Sequence, residues 1–351
     1  MHITRSLLIT VCLFLPAQVW AQPASDNANI PQPPAGAGKP MAGMGMLVGE
    51  VSDRAATIQV RLTATDKLVD RDVPGAWGVV HFQLYENGSN EPLAESLEYA
   101  LPQRDFLTRA KFSGLKPDTQ YECRSRIGLN AKELAAGPSS SFRTHAGASK
   151  EAAYKFVVVT GMNYAKFHGD KAIDMVQHQR ENNSAVPKPY SGPDKYLGYP
   201  ALATILKMQP DFFIGTGDNV YYDTPDATRA TTPDEMRRKW HEQFIQPRYL
   251  DLFAKVPTMW MVDDHDYRID DADNAGSFLP LPATSFAMML EQIPYGAYDD
   301  PAPKTYRTFR VCKDLQIWLP ENRLYRTPNA ALDDSSKTVW GAEQKTCPTN
   351  H

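Results

Sequence analysis

The stretch Asp211-Phe212-Phe213-Ile214-Gly215-Thr216-Gly217-Asp218-Asn219-Val220-Tyr221-Tyr222-Asp223 decides how this chain is read. Its first half is an apolar run, as a buried strand is, and its second half opens on Gly-Asp, which turns the chain and releases a carboxylate. Gly-Asp alone is equally common as plain turn chemistry. Further on, the run Thr258-Met259-Trp260-Met261-Val262 repeats the arrangement and ends in Asp263-Asp264-His265-Asp266. Three acids around one histidine repel one another unless a cation or an arginine compensates them.

Working outward, Lys155-Phe156-Val157-Val158-Val159-Thr160 is a continuous β-branched run, which predicts a strand covered on both faces. Helical periodicity covers Tyr199 to Met208, and Thr232-Pro233-Asp234-Glu235 is a capping box that opens a helix to about Ile245. A further helix is expected over Leu250 to Lys255. Strands alternating with helices predict an α/β domain with parallel strands and its chemistry on the loops at their carboxyl ends. Three such loops, after Thr160, Gly217 and Val262, then converge on one crevice. Asp218, Asp264 and His265 are placed there to bind two cations about 3.5–4 Å apart, as phosphoryl displacement uses them. Carboxylates suit hard ions and a tyrosinate oxygen suits ferric iron, while His265 is placed to protonate a leaving group.

Between Met46 and Thr144 the pattern is different. Short alternating runs (Thr57–Leu62, Trp77–Tyr85, Arg109–Phe112 and Gln120–Ile127), separated by Gly, Asn and Pro, predict a small antiparallel sandwich. Within it, Leu115-Lys116-Pro117-Asp118-Thr119-Gln120-Tyr121 resembles the tyrosine corner of fibronectin type III domains. Upstream, Arg5 precedes the apolar stretch Ser6–Leu15 and the small-residue end Val19-Trp20-Ala21, which reads as a signal peptide over residues 1–21. This predicts a secreted or periplasmic protein. A disordered leader is expected over 22–44, the sandwich over 45–146 and the α/β domain over 147–351.

The whole sequence has 351 residues and a formal net charge of −4. That mild acidity argues against nucleic-acid binding through a basic surface, and no stretch approaches the ~20 apolar residues of a transmembrane anchor. Of the four cysteines, Cys12 lies in the signal and Cys123, Cys312 and Cys347 have no close partner. A disulfide framework is not expected, and buried thiols are favoured over one long-range bridge. His81, His178 and His241 lack metal-ligand spacing, His168 is at most a neighbour of the site, and Met288 and Met289 read as helix core. Asp270, Asp271 and Asp273 read as a solvated acidic loop.

With these segments in place, the chain resembles the PhoD-like alkaline phosphatase/phosphodiesterase family, a branch of the calcineurin-like metallophosphoesterases. The resemblance is carried by Gly217-Asp218-Asn219-Val220-Tyr221, by Val262-Asp263-Asp264-His265-Asp266, by Glu321-Asn322-Arg323-Leu324-Tyr325-Arg326 and by Gly341-Ala342-Glu343-Gln344. It implies a fibronectin type III-like sandwich followed by an α/β metallophosphoesterase domain with an αββα arrangement. Asp218, Tyr221 and Asp264 are then metal ligands and His265 the leaving-group acid, with Asn219, Arg323 and Arg326 contacting substrate. For Arg323 and Arg326, pairing with Glu321 or a neighbouring acid is an equal alternative. The implied cofactors are iron together with calcium, the nucleophile a metal-bound hydroxide, and the substrate a small phosphate ester or an extracellular phosphodiester.

Two departures from the family pattern shape the remaining expectations. Where the family often has Ser-Cys after its first strand, this chain has Thr160-Gly161-Met162, so either the metal content differs or that ligand place falls to Asn163 or to water. Family members also continue past the Gly-x-x-Gln helix to a Gly-Asp-x-His-like motif, and Pro348 interrupts the helix here. The expectation is a domain incomplete at its C-terminal end, with the strands Phe309–Val311 and Leu315–Leu319 left with an exposed apolar face. A second reading follows from this, a catalytically inactive homologue acting as a binding or adhesion protein.

Overall fold

The computed structural model describes residues 20–21, 32–295 and 303–346. The signal expected over 1–21 lies outside these residues except for Trp20–Ala21, as do positions 22–31 of the expected leader and Cys347. The N-terminal half carries β1 (Trp20–Ala21), β2 (Met46–Gly49), β3 (Ala55–Arg61), β4 (Gly78–Glu86), β5 (Ala94–Ala100), β6 (Leu107–Ser113), β7 (Gln120–Gly128) and β8 (Ala135–Arg143). Strands β5-β4-β7-β8 form one antiparallel sheet, and β2, β3 and β6 face it as part of another. Val48, Ile58, Val60, Phe82, Leu84, Phe112 and Tyr121 fill the space between them. The Tyr121 hydroxyl accepts the backbone N–H of Lys116 at 2.9 Å, the tie expected of a tyrosine corner.

The second half is built from β9 (Phe156–Val159), α1 (Tyr164–His168), α2 (Met175–Asn182), α3 (Pro200–Met208), β10 (Phe212–Thr216), α4 (Pro233–Phe244), α5 (Pro247–Phe253), β11 (Thr258–Met261), α6 (Pro282–Gln292), β12 (Arg307–Cys312), β13 (Leu315–Leu319) and α7 (Gly341–Thr346). Strands β9, β10 and β11 are parallel neighbours. They do not form a sheet of their own. β11 pairs with β2 through Thr258 and Gly49, so one sheet runs β1-β6-β3-β2-β11-β10-β9 through both halves. Gly49 is required at this junction, because a Cβ there would collide with the ring of Pro294.

Helices cover one face of the parallel strands, with Phe213, Trp240, Tyr249, Phe253 and Trp260 at the centre of the contact. The antiparallel hairpin β12–β13 covers the other face over β10 and β11. Phe309, Val311 and Leu319 are buried there against Phe212, Ile214 and Met259, so this face is not the bare one expected, while Trp318 on the other face is 41% exposed. The covering stops short of β9. That strand is the sheet edge, with Phe156 38% and Val158 57% exposed, so it is not the doubly covered strand its β-branched run predicts. The helix expected over 250–255 begins earlier, at Pro247, where proline is suited to the first helical turn. Cys123 and Cys312 are buried free thiols.

Helix α4 is polar in composition yet buried along much of its length. Its capping box forms as expected, Thr232 accepting from the Glu235 N–H while the Glu235 carboxylate accepts from the Thr232 N–H. The buried polar side chains are each matched. His241 is held between Asp72 at 2.5 Å and Asp105 at 2.6 Å, both from the sandwich half. From the same half, the Arg109 guanidinium donates to the carbonyls of Leu290, Glu291, Ile293 and Tyr295, closing the C-terminal end of α6.

Candidate metal centre

The loops after β10 and β11 are pressed together at their first residues. Gly217 has φ 101°, and a Cβ on it would lie 2.5 Å from the Asp263 backbone nitrogen, so only glycine fits this approach. Asp218 follows in the left-handed region at φ 52°, which aspartate tolerates better than most residues. One carboxylate then fastens the two loops. Asp266 accepts the Asn219 N–H at 3.0 Å and the Asn219 side-chain amide at 2.6 Å on one oxygen, and the Asp263 N–H at 2.7 Å on the other. Burial and the charge of Asp218 push the Asp266 carboxyl up to about 8.

Above this brace, Asp218, Asp264 and His265 each present one ligand atom, all within 4.8 Å of one another. The Tyr221 hydroxyl donates to Asp218 Oδ2 at 3.1 Å, and its ring lies 4.4 Å from the His265 ring. Burial raises the Tyr221 phenol, and the neighbouring Asp218 charge adds to this; burial raises Asp218 as well. Asp218 Oδ1 is buried with no hydrogen-bond partner. A buried carboxylate oxygen without a donor is costly, and a cation satisfies it while reversing these upward shifts. The donor set, two carboxylates with a phenol oxygen and an imidazole, therefore fits a hard or borderline metal ion.

His265 is oriented by a residue the sequence reading left unassigned. Its Nδ1 donates to both oxygens of Asp223 at 2.8 and 2.9 Å, and Asp223 also accepts the Asp270 N–H at 2.9 Å. Burial opposes the charged imidazole, but the Asp223 hydrogen bond and charge, with the charges of Asp218 and Asp264, outweigh it and lift the ring to about 9. The acidic loop contributes backbone donors too, the Asp271 N–H reaching Asp264 Oδ2 at 2.5 Å. That loop is thus part of the site's scaffold and not merely solvated.

The expected site residues divide by position. Asp218, Asp264 and His265 meet, with Tyr221 beside them. Asn219 is buried beneath, its amide shared by Asp266 and the Met261 carbonyl at 2.8 Å. Arg323 is engaged by acids, Nε lying 2.6 Å from Asp263 and the guanidinium 3.4 Å from Asp264. Arg326 makes no ion pair among the described residues, and its Nε is buried without a partner. Gly161 has φ 71°, and a Cβ on it would lie 3.7 Å from the Tyr221 hydroxyl. Asn163 caps α1 through Oδ1, with Nδ2 left without a partner. His168 bonds Gln246, at 3.1 Å. In principle Asp223 and Asp266 were open to detection, since both lie inside the two acidic segments.

Parallel strands covered by helices on one face and a β hairpin on the other thus present acids and a histidine at their carboxyl ends. The chain matches the model of the PhoD-like phosphatase family over residues 187–347. Among solved structures it is similar to PhoD at 16% identity, with a TM-score of 0.65 over 87% of this chain and 58% of that one. The chain thus spans little more than half the length of that relative. A purple acid phosphatase, PPD1 from yellow lupin (Lupinus luteus) seeds, aligns at 10% identity and a TM-score of 0.44, covering 78% of this chain and 43% of that one. No curated protein matches the sequence. Among the described residues no helix is long and apolar enough to cross a membrane.

Proposed function

We propose that this protein hydrolyses phosphate mono- or diesters outside the cytoplasm, with metal ions held by Asp218, Tyr221 and Asp264 and with His265 as the acid that protonates the leaving oxygen. The observation that carries the reading is the partnerless Asp218 Oδ1 beside Asp264 and His265. Bound cations would supply positive charge to the phosphate oxygens and make a water more acidic. The chain's own part is positional. Asp223 fixes Nδ1 of His265 and leaves Nε2, 3.6 Å from Asp270, as the atom from which a proton is delivered. Arg323 balances the charge of Asp263 and Asp264, and Asp266 with Asn219 keeps the two loops in register. The tyrosine oxygen favours iron for one ion, with calcium suited to an all-oxygen place. The N-terminal basic and apolar residues support export, and the Tyr121 corner supports a fibronectin type III-like sandwich.

Metal analysis of the purified chain, together with hydrolysis of p-nitrophenyl phosphate and of its bis-ester, tests the proposal. Turnover that needs metal, and a fall of about 10²-fold or more in His265→Ala and Asp218→Asn, is the expected result. Bound metal with no turnover of either ester would instead favour the binding-protein reading. Because like-charged acids crowd the centre, added metal should also raise the melting temperature of the wild type more than that of Asp218→Asn.

A further inference from the structure

A polar cleft of about 380 Å³ adjoins the centre, and His265, Asp223 and Asp270 are part of its wall. Lys166, Asp174, Asp226 and Arg229 line it as well. Two of its four carboxylates are already engaged. Asp174 accepts the N–H groups of Val176 and Gln177 and Asp223 holds His265, while Asp270 lies 3.6 Å from the same ring and is largely exposed. Asp226 is exposed.

The two cations are in a different state. Lys166 and Arg229 are half-buried, and neither side chain has a carboxylate or a hydrogen-bond partner among the described residues. Of the other half-buried arginines, Arg237 is paired with Glu291 at 2.7 Å and Arg307 with Glu50 at 3.1 Å, whereas Arg326 makes no ion pair among the described residues. A cation withdrawn from water without a counter-ion is unfavourable, and both cations line this cleft, so an anion entering it meets positive charge that no carboxylate has claimed. Arg229 offers a fork suited to a phosphate or carboxylate, and Lys166 a point charge.

We propose that this cleft receives the leaving portion of the ester and that Lys166 and Arg229 select leaving groups bearing a second anionic group, a phosphate or a carboxylate. The inference rests on the phosphoesterase reading, in which His265 protonates the leaving oxygen, so that whatever is attached to that oxygen extends past His265 into the cleft.

The test compares 4-carboxyphenyl phosphate with phenyl phosphate in the metal-supplied full chain. The ratio of their kcat/KM values should fall about 10-fold or more in the Lys166→Gln/Arg229→Gln double variant, a loss typical of charged hydrogen bonds. A ratio rather than a single rate is read because partial unfolding lowers both rates together and leaves it unchanged. An unaltered ratio overturns the proposal. Should neither ester turn over in the wild type, the phosphoesterase reading fails separately. Calorimetric titration of 4-carboxyphenyl phosphate then decides the cleft alone, since weaker binding to the double variant supports it and equal binding overturns it.

Discussion

Both oxygens of Asp266 are occupied by donors from the loops it joins, so its contribution to the centre is mechanical. Asp266→Ala would strand the N–H groups of Asn219 and Asp263 and the Asn219 amide. The expected cost is about 2–4 kcal/mol, measured by denaturant unfolding, with activity lost alongside. Asp223 differs in that it touches the reacting histidine. Asp223→Asn should leave stability nearly unchanged and lower kcat/KM by about 10- to 100-fold, as the loss of a partner that orients a site histidine does. An equal fall in Asp223→Asn and in a charge-retaining Asp223→Glu would point to geometry rather than charge as the essential contribution. That Asp218, Asp264 and His265 come together could be expected from the sequence because three acids around one histidine after a strand repel one another unless compensated, whereas Gly-Asp at 217–218 is ordinary turn chemistry by itself. Asp223 was not, although it closes the opening stretch, because its partner lies 42 residues away and nothing local tells which acid of a turn faces inward.

At the scale of elements, α4 shows how a polar helix is made to pack. Its N-terminal box is exposed and local, and such boxes are readable from four residues. Thr232→Ala should cost about 1 kcal/mol in thermal unfolding. The N–H groups and hydroxyls of Thr231 and Thr232 hold the Glu235 carboxyl down to about 2. Its folded value lies below the ordinary one, so the box's contribution is present above about pH 4.5 and fades as the pH falls toward 2. The buried face of α4 was not readable, since the matching groups, Asp72 and Asp105, belong to loops of the other half. The edge strand β9 failed for the converse reason. A run of Phe and Val is equally consistent with a covered strand and with an edge, and only the reach of the β12–β13 hairpin decides between them. For α6, Arg109→Met should cost about 3–5 kcal/mol, because it removes a buried charge's worth of donors from the carbonyls at the helix end.

On the scale of the molecule, His145 sits where the sandwich gives way to the α/β half, packed edge-on against Tyr154 and Phe212. Both its ring nitrogens are buried without partners, and burial lowers it to about 4. The unfolded chain therefore takes up a proton first. Stability should fall as the pH drops from about 6.5 to about 4, by up to roughly 3 kcal/mol, and level off below. His145→Phe should flatten that slope in a series of melting curves.

The composition break near residue 147 marks a change of pattern from alternating strands to strands with helices, and it is where one would choose to divide the chain. Yet β2 lies against β11 within a single sheet, and the Thr258 hydroxyl reaches the Val48 carbonyl at 2.9 Å. Expressed from residue 147 onward, the second half would carry a raw strand edge in place of β2 and should be recovered from cells as insoluble material. Recombination that exchanged the sandwich for another of its kind would meet the same obstacle. The replacement would have to supply a strand of the right length, ending on a glycine that clears Pro294, so a sandwich chosen for its fold alone would not seat against β11.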